Sequence, residues 1–161
     1  PVKHGKELVD GNTVFFKENL GLGDSLNDLC PVVLTPTFVR DALKGKVGSL
    51  RKKVCDAYKR ISRGKDVVVI NGLGNLYSGD FIDLRQEDLI SELDCKVVYI
   101  DRLMSIHETV DAFLDIKKRL GKRLIGVVLN RIHRHRLNEV CKYAVAFLRK
   151  HGVRVLSLIH I

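Results

Sequence analysis

No stretch of the 161 residues approaches the roughly 18 consecutive apolar positions of a membrane-spanning helix. The opening residues Pro1-Val2-Lys3-His4-Gly5-Lys6 show no signal-peptide pattern, so the chain is expected neither to span nor to enter a membrane. The four cysteines, Cys30, Cys55, Cys95 and Cys141, lack the short paired spacing of a zinc site or a redox motif. They read as reduced core residues of a cytoplasmic protein. His107, His133, His135 and His151 have no carboxylate or cysteine partner at ligand spacing, which argues against zinc. No Ser-His-Asp or Cys-His arrangement can be assembled, so covalent catalysis has no support. Internal repeats and low-complexity linkers are also missing.

What is present suits a single soluble core. Hydrophobic residues make up 45% and charged residues 29%, as in one ordinary globular domain, and residues 1–161 are read as that one domain. The net charge of +9 invites an anionic partner. Dense basic runs occur at Arg131-Ile132-His133-Arg134-His135-Arg136 and between Lys44 and Lys53, and no aromatic residues alternate with them as a stacking surface for single strands requires. A solvated basic face or an anionic small ligand therefore ranks ahead of nucleic acid.

Two runs carry the strongest fold signal, Asp66-Val67-Val68-Val69-Ile70-Asn71-Gly72-Leu73-Gly74 and Gly126-Val127-Val128-Leu129-Asn130-Arg131. A continuous β-branched run has no face to show water, which predicts strands of a parallel sheet covered on both sides. Such sheets bind ligands at the carboxyl ends of their strands, where Asn71, Gly72, Gly74 and Asn130 fall. The remaining pattern alternates. Leu50, Val54, Ala57, Tyr58 and Ile61 share a helical stripe that Gly64-Lys65 ends; residues 86–93 read as a short helix and 96–100 as a strand. Ser105 and Glu108 form a capping box opening a helix to about Leu120, and 124–130 follows as a strand. Leu137, Val140, Cys141, Ala144, Val145 and Leu148 mark a last helix that stops at Gly152, before a strand over 153–159. Together these predict an α/β fold, a doubly wound, mostly parallel sheet flanked by helices. The first half is less regular, with short helices over 13–20, 25–29 and 36–43 and a short strand over Val32-Val33-Leu34.

The Val-rich strand with its Gly-rich turn, the strand from Lys96 to Arg102, the Ser-Ile-x-Glu-Thr helix start and Gly-Val-Val-Leu-Asn-Arg resemble the dethiobiotin synthetase-like branch of P-loop NTPases. That branch includes the cobyrinic acid diamide synthases. Within it the chain is most similar to the N-terminal domain of phosphate acetyltransferases, through Asn19-Leu20-Gly21-Leu22 and Cys30-Pro31-Val32-Val33-Leu34-Thr35-Pro36. The chain departs from the pattern in lacking Gly-x-x-x-x-Gly-Lys-Ser/Thr, the loop that holds nucleotide phosphates. Gly45-Lys46-Val47-Gly48-Ser49 has the residue types with the wrong spacing. Pro1-Val2 resembles the end of the family's second strand, so the resemblance implies a chain truncated ahead of residue 1. Residues 156–161 resemble translated sequencing-adapter sequence and are expected to be non-native.

The resemblance implies ATP and Mg2+ as cofactors, held with the help of an upstream loop. Asn130 resembles the asparagine whose amide meets adenine, with Arg131 beside it, although a strand-end asparagine also satisfies local backbone groups. The family carries an acid where this chain has Asn71; an amide supplies no charge, so metal affinity is expected to fall. Asp10 is the candidate second acid, with a surface turn next to Gly11 as the equal alternative. Gly72, Gly74 and Gly79 would let backbone approach a phosphate, or simply form a turn. Lys3, His4 and Lys6 could meet an anion or remain a solvated terminus. Two functions follow from the resemblance: a nucleotide- or metabolite-sensing domain of a phosphate acetyltransferase-like protein, or an ATP-dependent ligase that activates a carboxylate or carbamate. The fragment itself is expected to be inactive. Nucleotide and an anionic substrate or effector are the implied partners, with a homo-oligomer open. A sheet interior left uncovered is expected to promote aggregation.

Overall fold

The computed structural model describes residues 1–4, 7–72 and 74–161, Glu7 by its backbone alone. Pro1–Leu89 and Ile90–Ile161 form two compact units. The chain is an α/β protein with a parallel three-stranded sheet flanked by helices.

The second unit contains that sheet. Strands β3 (Val97–Arg102), β4 (Leu124–Ile132) and β5 (Val155–His160) pair in the order β3-β4-β5, all parallel. The β-branched run in β4 makes it the central strand, and Val127, Leu129 and Ile132 are fully buried. Gly126 is required by packing: a Cβ there would lie 2.5 Å from Cγ of Leu156. Residues 156–160 lie within β5, where Leu158 pairs with Leu129 and His160 with Ile132.

Helix α6 (Ile106–Leu120) starts at the expected capping box and buries Thr109, Val110, Phe113, Ile116 and Leu120. Phe113 meets Tyr99 of β3 edge to face, with ring centroids 5.9 Å apart. The last helix is continuous but changes pitch, with α7 (Leu137–Val140), a π segment (Cys141–Val145) and α8 (Ala146–Lys150). The wider π turn explains one departure from the sequence reading. Val140, Ala144, Val145 and Leu148 remain inside, whereas Cys141 turns outward and is exposed rather than core. The other cysteines form no disulfide and are buried or half-buried, and burial raises the thiol pKa of Cys30 and Cys95.

The first unit opens with an antiparallel hairpin of β1 (Val2–His4) and β2 (Glu7–Val9). Four helices follow: α1 (Gly11–Asn19), α2 (Leu26–Leu29), α3 (Pro36–Leu43) and α4 (Arg51–Ile61). Helix α4 buries Cys55 and Ala57, and Arg60 reaches Asp28 of α2 at 2.6 Å. That hydrogen bond holds the Asp28 carboxyl below its ordinary range. Helix α5 (Gln86–Glu92) spans the boundary between the units.

Two predicted strands do not form. Residues 32–34 are irregular, and 66–72 make no ladder with any described strand. Val67 is 75% exposed, Val69 89% and Ile70 51%. The apolar run specifies what a strand would bury if neighbours lay on both sides, but a strand forms only against a partner ladder, and the described residues supply none. An uncovered apolar segment of this kind favours self-association. The double variant Val67→Thr, Val69→Thr is expected to aggregate more slowly by light scattering with an unchanged melting temperature. Unchanged aggregation would show that another surface drives it.

Among the described residues no helix is long and apolar enough to cross a membrane.

Candidate functional site

Parallel pairing puts the carboxyl ends of β3, β4 and β5 on one edge of the sheet. Arg102 pairs with Asn130 there, and Leu103 N–H donates to the Asn130 carbonyl at 2.9 Å. The Asn130 side chain accepts from Arg131 N–H through Oδ1 at 2.8 Å, while its Nδ2 has no protein partner among the described residues. An amide placed this way still offers two N–H donors and one lone pair to a ligand. Arg131 stands at φ 55°, in the left-handed region, at a cost of about 1–2 kcal/mol for a residue with a Cβ. The chain then turns through His133, whose carbonyl accepts from Arg136 N–H at 2.8 Å. The Arg136 guanidinium lies 3.3 Å from Glu139 and 3.5 Å from the Met104 carbonyl, tying the turn to the loop after β3. At the start of α6, Ser105 and Glu108 satisfy one another. The Ser105 hydroxyl bond holds the Glu108 carboxyl below its ordinary range.

The first unit holds the remaining candidates, and their surroundings differ. Lys3 sits on exposed β1 opposite Leu8, while Lys6 lies outside the described residues. Asp10 caps α1, with Oδ1 accepting from Asn12 N–H at 3.0 Å and Thr13 N–H at 3.3 Å. Asn71 and Gly72 do not stand at the carboxyl end of a strand as predicted, because no strand precedes them. A Cβ on Gly72 would run into the Gln86 side chain, whose Nε2 donates to the Asn75 carbonyl at 2.7 Å. A Cβ on Gly79 would strike the Leu84 carbonyl. Both glycines therefore have an internal packing reason. Gly74, at φ 97°, has open space above it, so it is the one glycine of the three whose surface a ligand could approach; Leu73 beside it lies outside the described residues.

A family profile described as an AAA domain matches residues 1–160, nearly the entire chain. The chain belongs to this P-loop NTPase family. The family is related to dethiobiotin synthetase-like proteins and is of a nucleotide-binding α/β type. No solved structure matches the chain.

The AAA domain's own residues fit only part of what the family binds. Asn130 suits the edge of a base. Magnesium prefers charged oxygen ligands. Asp10 has one oxygen committed to two backbone donors, Asn71 brings no charge, and among the described residues no three His, Cys, Asp or Glu side chains come together. These residues do not by themselves fit a magnesium ion. Sequence reasoning missed Arg102 as a neighbour of Asn130, because only strand pairing joins positions so distant in the chain.

Proposed function

We propose that this domain senses a nucleotide rather than turning it over, in the manner of the N-terminal domain of a phosphate acetyltransferase-like protein. The observation that carries the reading is Asn130, at the carboxyl end of the central parallel strand with a free amide donor. There it would meet a ring nitrogen and an exocyclic amine of adenine. Two further features support sensing over catalysis. By the family resemblance an amide, Asn71, stands where the family carries an acid, and the carboxylate of Asp10 is engaged in capping α1. ATP is the ligand proposed, with its phosphates held by a loop other than any in residues 1–161, since the phosphate-loop motif does not occur within them.

Calorimetric titration of ATP tests this, using a version that carries the natural upstream sequence. Binding that depends little on magnesium, with no turnover, is the expected result. Asn130→Ala is expected to weaken affinity roughly tenfold, the scale of a lost buried hydrogen bond. Undiminished affinity in Asn130→Ala would remove the base contact. Magnesium-dependent ATP cleavage coupled to a carboxylate or carbamate would replace sensing with the ligase reading.

A further inference from the structure

An open groove of about 610 Å³ lies wholly within the first unit, and every residue that lines it falls between Leu34 and Lys44. Thr35 N–H donates to the Val33 carbonyl at 3.1 Å, a bend that sets Leu34 along the same groove as α3. Within α3, Pro36, Val39 and Leu43 recur at helical spacing and give the groove an apolar floor. That floor is open to water: Leu43 is 72% exposed, Leu34 is 37% exposed, and no residue of α3 is fully buried.

The polar lining is cationic. The Thr35 hydroxyl oxygen is engaged in capping α3, accepting from Phe38 N–H at 3.0 Å. Arg40 and Lys44 remain, one helical turn apart, and both line the groove. Among the described residues neither pairs with a carboxylate, and the Arg40 guanidinium reaches only the Thr37 hydroxyl, at 3.4 Å. Cations in the last turn suit the helix dipole, which accounts for the charges but not for the exposed apolar floor beside them.

We propose that this groove binds a small amphiphilic carboxylate, an unbranched alkyl chain with one anionic head. The chain would lie on Leu34, Val39 and Leu43, and the carboxylate would be met by Arg40, whose forked donors match it, and by Lys44. A volume of about 610 Å³ is in the range of small-ligand sites. Helix α3 has eight residues, or about 12 Å of length, which suits a medium alkyl chain. A partner protein is the poorer fit, because a stable interface needs roughly 800 Å² a side, more than one short helix face supplies. A second copy would bring its own two cations against these. The proposal stands whether or not Asn130 holds a base.

Sodium decanoate, added below its micelle-forming concentration to isotope-labelled residues 1–161 at about 50 mM salt, tests this by amide NMR shifts. Saturable shifts centred on residues 34–44 are expected. Arg40→Gln and Lys44→Gln are each expected to weaken binding roughly tenfold, as for loss of a charged hydrogen bond. Leu43→Ser is expected to weaken it roughly fivefold through lost apolar contact. Leu43 is mostly in water, so that variant is expected to melt with the parent, which separates lost binding from lost folding. Leu20→Ser removes another leucine, 66% exposed and outside the groove, and is expected to change affinity by less than roughly twofold. Decyltrimethylammonium, the same chain with a cationic head, is expected to bind at least roughly tenfold more weakly. Absence of saturable shifts at residues 34–44 would overturn the site, as would equal binding of the two head groups or equal losses in Leu43→Ser and Leu20→Ser. Shifts of these amides with protein concentration alone would overturn it in favour of a second copy. Binding of an amphipathic Leu-Glu helical peptide there, with none of decanoate, would overturn it in favour of a protein partner.

Discussion

Phe113→Ala is expected to cost about 3–5 kcal/mol of unfolding free energy, the usual range for removing a buried aromatic ring. Phe113 is 0% exposed, at the middle of the buried face of α6, and its ring stands at 87° to Tyr99 on β3. Truncation removes apolar area from the core, leaves a cavity that flanking Val110 and Ile116 fill only partly, and forfeits the edge-to-face contact. Native domains hold about 5–15 kcal/mol in total, so the variant should be close to unfolded at room temperature. Urea denaturation followed by circular dichroism would measure the loss. Phe113→Leu, which keeps most of the volume, should lose markedly less. A loss below about 1 kcal/mol in the alanine variant would mean that α6 does not depend on this contact. Because α6 begins where β3 ends, the same variant is expected to loosen the Arg102 and Asn130 edge.

Gly79→Ala is the second large effect expected, about 2–4 kcal/mol, from left-handed backbone strain combined with overpacking. Gly79 stands at φ 94°, and its carbonyl accepts from Leu84 N–H at 2.9 Å and Ile82 N–H at 3.1 Å. That tight turn delivers Ile82 and Leu84 into the core of the first unit. A methyl group at Gly79 meets the Leu84 carbonyl, a backbone group that cannot swing aside. Gly74→Ala is the matched comparison. Gly74 has a similar φ of 97° but nothing within 4 Å, so strain alone should act, at about 1–2 kcal/mol. Thermal melts of the pair separate the contributions, and equal losses would mean that contact with Leu84 does not constrain the turn.

Much of the second unit was legible because its signals are local. Ser105 and Glu108 set the start of α6, Gly152 ended the last helix, and the β-branched run of residues 126–129 became the buried central strand. Each of these depends on side chains a few residues apart. The run at 66–70 has similar composition and led to an incorrect strand assignment, because burial belongs to a strand's neighbours as much as to the strand. Cys141 was misplaced for a related reason. A fixed helical period cannot anticipate a π segment.

The candidate site divides along the same line. Asn130 could be picked out from Gly-Val-Val-Leu-Asn-Arg, since a polar residue ending an apolar strand is visible in one dimension. The packing roles of Gly72 and Gly79 required the positions of Gln86 and Leu84, and the capping role of Asp10 required the start of α1. The sequence by itself determined the α/β class, the family and the strand end that carries Asn130, because these rest on residue order and short-range periodicity. Only the tertiary structure decided that Arg102 stands beside Asn130 and that residues 66–70 remain uncovered, because both depend on which strands pair, and pairing joins residues that chain order keeps apart.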